Sequence, residues 1–324
     1  MSEIKVNSIK GVAASSAAIT ISNTDGTCTA NLSNRQNRNL IINGAMQVAQ
    51  RGTSNTAGGD GYFTVDRMYY YNAGINNDVT KAQADIASGT SPYTAGFRKS
   101  FKLTNGDQSG GAGVSDEILI RQNIEAQDIA NSGWNYTSSS SYITLSYWIK
   151  SSVSQNFYVN LQTIDGTAQN YVTETGTLTA DTWTKVTKTI PGNSNLQFDN
   201  NNEKGMFIQW NVFRGTSVTG TRPLNAWAAY SSTTRVPDMT STWYTTNNAT
   251  FEITGVQLEV SDHATDFEHR SFGQELALCQ RYFYQINGNN GDISISGGFL
   301  NASEFFVLVD FPVTMRATPS YTGS

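Results

Sequence analysis

The sequence contains few charged residues. Asp, Glu, Lys and Arg make up only 15% of its 324 residues, against the roughly 25% usual for globular domains. The formal net charge is −5, and no stretch is rich in Lys or Arg. Because duplex nucleic acid requires clustered cations against its phosphates, we exclude nucleic acid as a partner, and a basic helix for a membrane surface is missing too.

Cysteine and long apolar runs are also scarce. Cys28 and Cys279 lie far apart in unlike contexts, so we expect no disulfide, and synthesis in a reducing cytoplasm. The N-terminal stretch contains Lys10 and many hydroxyl side chains, which is untypical of a signal peptide. No apolar run reaches the roughly 18 residues that a membrane helix needs, so we expect no membrane insertion.

Histidine is limited to His263 and His269. Their spacing matches no helical face, and the segment follows a predicted strand, so we interpret both as polar surface residues rather than metal ligands. We expect no metal site and no cofactor. A Ser-His-Asp triad would depend on one of these two residues, and no Gly-x-Ser-x-Gly motif is present, so hydrolysis by that route is not predicted.

Carboxylates are present, but nothing in the sequence pairs them. Cleavage of a glycosidic bond needs two carboxyl groups roughly 5–10 Å apart across a cleft. The long repeated strands of a β-helix depolymerase are also missing. We therefore expect no enzyme activity, an expectation that turnover of a polysaccharide would overturn. The candidate carboxylates are Asp60, Asp66, Asp116, Glu117, Glu125, Asp165 and Glu174.

What the sequence does contain is Ser, Thr, Asn and Gly together with 15 Phe, 15 Tyr and 6 Trp. Short alternating segments are separated by clusters of Gly, Asn, Asp and Ser, a pattern that predicts an all-β fold. We predict a jelly-roll β-sandwich over residues 40–270, with one helical turn within 124–134. The predicted strands are 39–50, 62–73, 97–105, 116–125, 142–152, 156–164, 182–190, 205–213 and 250–260.

Residues 1–39 are interpreted as an N-terminal attachment arm. Asp25-Gly26 predicts a turn between two short strands. A lone hairpin is marginal in water, so the arm needs a partner surface on its own body, on another copy or on another protein. The apolar residues expected to serve attachment or oligomerisation are Ile4, Val6, Ile9, Ile19 and Ile21.

Residues 271–284 are predicted to form a short helical linker. Ser271 and Gln274 have the spacing of a capping box, and good helix formers follow. We interpret the helix as a hinge with Leu276 and Leu278 buried. Residues 285–324 would then begin a second β-rich module, and strands are predicted beyond the helix at "YFYQIN", "DISISG" and "FFVLVDFPV".

Two local motifs have structural interpretations. Asp66 and Arg67 lie inside a predicted strand. We favour an ion pair on the face of that strand, and a ligand contact is the alternative. Asn43-Gly44 predicts a bulge or turn near the first strand. Ala45 follows Gly44 at a position where an acidic residue would be needed to help bind calcium, so the sequence does not favour a calcium site here.

Four aromatic residues lie in the loop-like stretch 224–248, and two interpretations of them stay open. Loops on a rigid scaffold often bind ligands, and aromatic rings stack on sugars, so the four residues are candidate glycan contacts. Alternatively, the rings pack the end of the sandwich or a subunit interface. The four residues are Trp227, Tyr230, Trp243 and Tyr244.

Several stretches together resemble a known arrangement. "NRNLIINGAMQVAQRGTS", "FTVDRMYY", "ITLSYWIKSS", "TWTKVTKTIPG" and "ITGVQLEVSDHATDFEHRSFGQELALCQRYF" resemble tail-fibre and other virion proteins of bacteriophages, notably cyanophages. The first 40 residues look like the arm of such fibres. The body, from "NLIING" to "GVQLE", is also similar to a carbohydrate-binding-module jelly roll.

The resemblance implies a homotrimeric tail-fibre subunit in the virion. Its arm would dock on a tail adaptor or another tail protein, and the fibre would serve host attachment. One alternative is a head fibre or capsid decoration protein. Another is a glycan-binding module whose partner is a host-surface glycan.

Overall fold

The computed structural model is an all-β molecule, as predicted, and describes residues 6–9, 12, 19–22, 24–26, 28–30, 37–108, 110–286 and 297–320. The helices are α1 (Ser91–Thr94), α2 (Ala126–Ala130), α3 (Thr242–Thr245) and α4 (Phe272–Gln280). The strands are β1 (Ser8–Ile9), β2 (Ile19–Ile21), β3 (Cys28–Ala30), β4 (Ser54–Asn55), β5 (Gly61–Tyr62), β6 (Tyr69–Ala73), β7 (Thr80–Asp85), β8 (Lys99–Thr104), β9 (Glu117–Glu125), β10 (Tyr142–Ser151), β11 (Asn156–Thr163), β12 (Gln169–Thr177), β13 (Thr184–Pro191), β14 (Lys204–Arg214), β15 (Trp227–Ala229), β16 (Thr250–Glu259), β17 (Gly297–Phe299) and β18 (Phe305–Val307).

Two large antiparallel sheets form a jelly-roll type β-sandwich. The six-stranded sheet has the order β13-β10-β16-β8-β7-β4, and the seven-stranded sheet has the order β15-β12-β11-β14-β9-β6-β5. Strands adjacent in space come from distant parts of the chain, as when β10 pairs with β16. No helix in the described ranges is both long and apolar enough to cross a membrane.

The core lies between the two large sheets. On β10, the alternating residues Ile143, Leu145, Tyr147 and Ile149 are fully buried, which confirms the predicted strand. Trp210 of β14 meets Tyr147 edge-on, with ring centroids 5.7 Å apart. Such an edge-to-face pair stabilises by about 0.5–1.5 kcal/mol beyond its buried area. The contact therefore helps to fix one sheet against the other.

The strand predicted over 39–50 is wrong, because this segment consists of irregular turns. Asn43 has φ 61°, in the left-handed region. Its side-chain nitrogen donates to the carbonyl oxygens of Val48 at 2.8 Å and Asp66 at 2.9 Å. Its side-chain oxygen accepts from the Val48 amide at 3.0 Å. The Asn43 amide therefore satisfies main-chain groups that a strand would pair with a neighbour.

The strand predicted over 62–73 is only partly right, since the ladder covers Tyr69–Ala73 and a short piece at Gly61–Tyr62. Asp66 and Arg67 lie in a turn, and Arg67 has φ 72°. Asp66 pairs with Arg51, 3.7 Å away, and not with Arg67. The expected strand-face ion pair is therefore wrong.

Among the strands that sequence patterns missed are two longer ones whose residues are largely polar. These strands are β7, with the sequence TKAQAD, and β12, with the sequence QNYVTETGT. In β7 the polar Lys81 is buried, and its ammonium group donates to the carbonyl oxygen of Ala57 at 2.5 Å. The one helical turn predicted within 124–134 is confirmed as α2.

The capped helix is confirmed as α4. The Ser271 hydroxyl accepts from the Gln274 amide at 3.3 Å, and the Gln274 side chain accepts from the Ser271 amide at 3.0 Å. Its buried residues are Glu275 and Cys279. Leu276 and Leu278 are only half-buried, so the expectation that both leucines are buried is wrong.

The C-terminal residues return to the body beside α4. The main-chain amide of Arg316 donates to the Arg281 carbonyl at 2.9 Å. Strands β17 and β18 pair with each other, whereas the strand predicted at the start of "YFYQIN" is not formed over 281–286. The strand predicted at "DISISG" lies largely outside the described residues. The division into modules 40–270 and 285–324 stays a prediction.

The arm contains a three-stranded sheet in the order β1-β2-β3. The predicted hairpin is confirmed, with Ile21 opposite Cys28 and Gly26 in the left-handed region at φ 71°. Val6 and Ile9 are exposed, Ile19 and Ile21 are half-buried, and Ile4 lies outside the described residues.

The boundary of the arm at residue 39 falls inside the body. The main-chain amides of Asn37 and Asn39 both donate to the Glu268 carboxylate, at 2.6 and 2.7 Å. The Leu40 amide donates to the Leu258 carbonyl of β16 at 2.9 Å. Residues 37–39 therefore belong structurally to the sandwich.

Candidate glycan-binding face

The seven-stranded sheet has one side against the core and one side, called here the outer face, turned away from the six-stranded sheet. On β9, Ile118, Ile120 and Ile124 enter the core cluster. Because side chains of a strand alternate between its sides, Arg121 and Asn123 lie on the outer face. Both are half-buried, so the outer face is partly open to solvent here.

A row of outer-face side chains crosses the sheet from strand to strand. Asn160 is opposite Gln209, and Gln209 is opposite Arg121. Arg121 is in turn opposite Tyr69, and Tyr69 is opposite Tyr62. The row therefore changes from amides, through a guanidinium group, to two phenol rings.

Hydrogen bonds hold the polar half of this row in place. Arg121 donates through two nitrogens to the Gln209 side-chain oxygen, at 3.1 and 2.8 Å. Gln209 donates to Asn160 at 3.3 Å and to Asn211 at 2.9 Å. Asn160 donates to Asn170 at 3.0 Å. A connected network of this kind fixes which amide groups present oxygen and which present nitrogen.

Aromatic rings make up the other half. Tyr62 and Tyr69 meet edge-on with ring centroids 5.2 Å apart. Tyr71 lies two residues after Tyr69, on the same side of β6. All three rings are half-buried. The Arg121 guanidinium lies 4.3 Å from the Phe207 ring centroid. Burial raises the pKa of Tyr69 and lowers that of Arg121, since it disfavours the charged form of each group.

Residues 215–240, called here the covering segment, close one end of the outer face. The Asn170 side chain donates to the Arg235 carbonyl at 2.9 Å. The Arg235 guanidinium approaches Glu117 at 3.3 Å, and Glu117 also pairs with buried Arg214. Val236 of this segment is fully buried. The open part of the outer face is therefore the part around Tyr62, Tyr69 and Arg121.

The structure separates the four aromatic residues predicted from the sequence. Trp243 and Tyr244 of α3 are fully buried, so neither ring can stack on a sugar. The Trp243 nitrogen donates to Thr250 O at 3.0 Å, and the Tyr244 hydroxyl donates to Asp116 at 2.7 Å. These two residues therefore fit the second interpretation, in which the rings pack the end of the sandwich.

Trp227 and Tyr230 are half-buried. Trp227 donates to the Pro191 carbonyl at 2.7 Å, and its ring lies 5.2 Å from that of Tyr171 in the core. Tyr230 directly follows the edge strand β15, and its main-chain amide donates to the Ala168 carbonyl at 2.8 Å. Sequence reasoning missed Tyr62, Tyr69 and Tyr71. The signal that could have found two of them is the alternation of a strand, which places Tyr69 and Tyr71 of "YYYNA" on the same face.

The carboxylates considered for glycoside hydrolysis all accept hydrogen bonds from the protein. Burial raises the pKa of Asp66. Glu174 is half-buried near Tyr158 of the outer face. The donors are Asn72 to Asp60, Gln50 to Asp66, Tyr244 to Asp116, Arg214 to Glu117, Arg281 to Glu125, Asp199 to Asp165 and Asn156 to Glu174.

The two histidines have separate surroundings. His263 is exposed and its ring contacts Asp262 at 2.7 Å. His269 packs beside the rings of Phe97 and Phe267, and its Nε2 lies 3.1 Å from the Ala95 carbonyl oxygen. Within the described ranges, no group of three or more His, Cys, Asp and Glu is placed to hold a metal ion.

Comparisons with known proteins give distant structural likenesses only. No family model matches the chain, and neither does any curated protein. The enzymatically active domain of tailspike protein 4 from bacteriophage CBA120 has 11% identity and a TM-score of 0.34, covering 69% of this chain but only 21% of that one. A putative sugar-binding protein from Bacteroides thetaiotaomicron has 11% identity and a TM-score of 0.33, covering 69% of this chain and all of that one.

A family 11 carbohydrate-binding module from Clostridium thermocellum, solved with a mixed-linked tetrasaccharide, has 10% identity and a TM-score of 0.29. It covers 66% of this chain and 100% of its own. These structures are carbohydrate-binding-module-like β-sandwiches and one tailspike domain. The fold assignment for this chain rests on its own two sheets and their strand order.

Proposed function

We propose that this protein is a non-catalytic glycan-binding protein that recognises its ligand on the outer face of the seven-stranded sheet. The observation that carries the proposal is the row of half-buried tyrosines beside a hydrogen-bonded set of amides and Arg121. Sugar rings present apolar C–H faces and a rim of hydroxyl groups. Aromatic rings match the faces, while amide and guanidinium groups match the hydroxyls.

Rigidity supports this proposal. The Arg121 and Gln209 side chains are already ordered by their mutual hydrogen bonds. A ligand would therefore not have to order them on binding, which reduces the entropic cost of association. The underlying strands are continuous parts of a large sheet, so the groups keep their spacing without help from a mobile loop.

We further propose that the protein serves as a trimeric tail-fibre subunit that attaches a virion to its host. The exposed apolar residues Val6, Ile9 and Val12 in the arm support an attachment role for that region. Three copies on one fibre would present three faces, and multivalency would strengthen individually weak glycan contacts. A head fibre or decoration protein with the same face remains the alternative location.

A glycan array followed by calorimetric titration tests the binding proposal. Tyr69→Ala should weaken binding of a glycan found on the array by at least about tenfold, or about 1.4 kcal/mol, because a stacking surface is lost. Tyr93→Ala is the matched control, since Tyr93 is a half-buried tyrosine on α1, outside the outer face. Equal affinity of the wild type and Tyr69→Ala would contradict the proposed face.

Light scattering tests the oligomeric part separately. We expect a mass three times the 35.3 kDa of the chain. A monomer that still binds the glycan would remove the fibre proposal and leave the binding proposal intact.

A further inference from the structure

A cavity of about 330 Å³ opens at the end of the outer face that lies away from the covering segment. Tyr62 and Asn123 belong both to the face and to the cavity wall, and the Asn123 side chain donates to the Tyr62 hydroxyl at 3.0 Å. The volume lies at the lower end of the roughly 300–1,000 Å³ of ligand pockets. The charged lining residues are Arg51, Asp66, Arg67, Glu125, Lys204 and Arg316.

The two carboxylates of the cavity are committed to partners within the protein. Asp66 accepts from Gln50 and lies 3.7 Å from Arg51. Glu125 accepts from Arg281 through both oxygens at 2.9 Å. Arg51 is thereby also committed. Among the described residues, neither carboxylate therefore forms an ion pair with Arg67, Lys204 or Arg316.

Three cations lack an ion-pair partner among the described residues. Arg67 is only 6% exposed, and its Nε atom has no hydrogen-bond partner there, while its Nη2 donates to the Asn123 carbonyl at 2.5 Å. Lys204 is half-buried, with its ammonium group 5.4 Å from the Phe207 ring centroid. Arg316 makes one side-chain hydrogen bond, to the Asn202 carbonyl at 3.1 Å.

The charged form of Lys204 is destabilised in this arrangement. Burial lowers the pKa of Lys204, and repulsion from Arg121 lowers it further. An anion placed between Lys204 and Arg121 would offset both effects and stabilise the charged form of Lys204. The chain as a whole carries a net charge of −5, so this local excess of positive charge is contrary to the overall balance.

We propose that this cavity binds an oxyanion carried on the glycan, either the carboxylate of a uronic acid or a sulfate ester. The inference rests on the proposed function, because the sugar rings would lie on the adjoining tyrosines. Lys204 and Arg316 would contact the oxyanion, and Arg67 would hold the cavity wall through Asn123 and present its free Nε–H. Charge-assisted hydrogen bonds of this kind are shorter and stronger than neutral ones.

Matched pairs of probes test the inference. One pair is tetragalacturonate and its methyl ester, and the other is a sulfated galactan tetrasaccharide and its desulfated form. Calorimetric titration should show at least about tenfold tighter binding of one charged member than of its neutral partner, and the pair concerned identifies the oxyanion. The preference should shrink as salt is raised, since exposed charges are screened.

Lys204→Gln should remove most of this preference while leaving binding of the neutral member within about twofold of the wild type. Lys185 is an exposed residue on β13 of the opposite sheet, and Lys185→Gln is the control. It should change neither the preference for the charged member nor the affinity for the neutral one. The salt titration of the wild type keeps the test decisive even if Lys204→Gln fails to fold.

Different experimental results would overturn the two proposals. Equal affinity for charged and neutral members, with Tyr69→Ala weakening both, would overturn the oxyanion site and keep the glycan-binding face. Absence of binding to every charged and neutral glycan on the array would overturn both proposals together.

Discussion

At the scale of single residues, side-chain amides and one glycine join the start of the body to β16. The Asn39 side chain donates to the Val256 carbonyl at 3.1 Å and accepts from the Leu258 amide at 3.1 Å. The Gly44 carbonyl accepts from the Val256 amide at 2.9 Å. A methyl group at Gly44 would overlap the Val256 carbonyl oxygen. The backbones therefore approach as closely as they do only because Gly44 has no side chain.

Gly44→Ala should destabilise the protein by about 2–4 kcal/mol, because the added carbon forces the Gly44 segment away from β16. Gly273→Ala is the matched control, since nothing lies near the added carbon and the site is inside α4. Helix propensity predicts a neutral effect or a gain of up to about 1 kcal/mol there. Denaturant unfolding measures both changes, and equal stability of the two variants would refute the close-approach explanation.

The turn at Asn43-Gly44 could be predicted from the dipeptide, since Asn tolerates positive φ better than most residues. Its partner Val256 could not, because that contact joins distant parts of the sequence. The same limit applies to the site. The composition of 224–248 predicted that Trp243 and Tyr244 lie in a loop. The short helix α3 that buries both depends on tertiary contacts, such as the hydrogen bond that the Trp243 main-chain amide donates to the Gln155 side-chain oxygen.

At the scale of elements, α4 is fixed to the seven-stranded sheet by the residues that follow it. The pair between Arg281 and Glu125 of β9 has two contacts of 2.9 Å, and the Tyr282 hydroxyl also donates to Glu125. Burial acts to raise the pKa of Glu125, but the hydrogen bonds from Arg281 and Tyr282 outweigh burial, and the pKa is lowered. The hinge predicted at this helix is therefore a docked element.

Glu125→Gln should destabilise the protein by about 2–4 kcal/mol at neutral pH, because it leaves Arg281 without its charged partner. Since the folded-state pKa lies below the ordinary one, the stabilisation by Glu125 is complete above the ordinary value and is lost as the pH falls through the folded-state value. The difference from the wild type should thus be constant above the ordinary glutamate pKa of about 4.3 and shrink as the pH falls below it. Exposed Glu203→Gln is the control. A difference that does not change with pH would exclude the ion pair as its cause.

Strands with regular apolar alternation were predictable, and strands without it were not. Ile143, Leu145 and Ile149 of β10 gave a period of two, and the structure confirms the strand. In β7 the burial of Lys81 depends on a carbonyl oxygen and on the rings of Phe63 and Tyr70, 4.3 and 4.8 Å from its ammonium group. These partners are brought together only by the tertiary fold, so the sequence of β7 alone does not predict that Lys81 is buried in a strand.

At the scale of the whole molecule, the described strands of the arm and the residues just before the body have different partners. Residues 37–39 bond to Glu268 and β16, whereas the arm sheet pairs its own three strands. The C-terminal residues add Arg316 to the wall of the cavity. The body therefore depends on the connector at one end of the chain, and the proposed oxyanion site depends on the other end.

Removing residues 1–36 should leave the Tm within about 2 °C of the full chain, whereas removing residues 1–39 should lower it by about 5 °C or more. The physical reason is that the second truncation removes Asn39 and its bonds to β16. Differential scanning calorimetry of both truncated chains gives the comparison. Identical melting of the two would show that the connector does not stabilise the sandwich.

The central claim is that the outer face of the seven-stranded sheet recognises a glycan. The most direct measurement is the NMR spectrum of side-chain amide groups during titration with an oligosaccharide that binds on the array. The account predicts that the signals of Asn123, Gln209 and Gln162 shift with one common Kd; Gln162 follows Asn160 by two residues on β11 and so lies on the same side of the sheet. The signal of half-buried Asn193, in the loop after β13, should stay unchanged. Shifts confined to residues away from the outer face would contradict it.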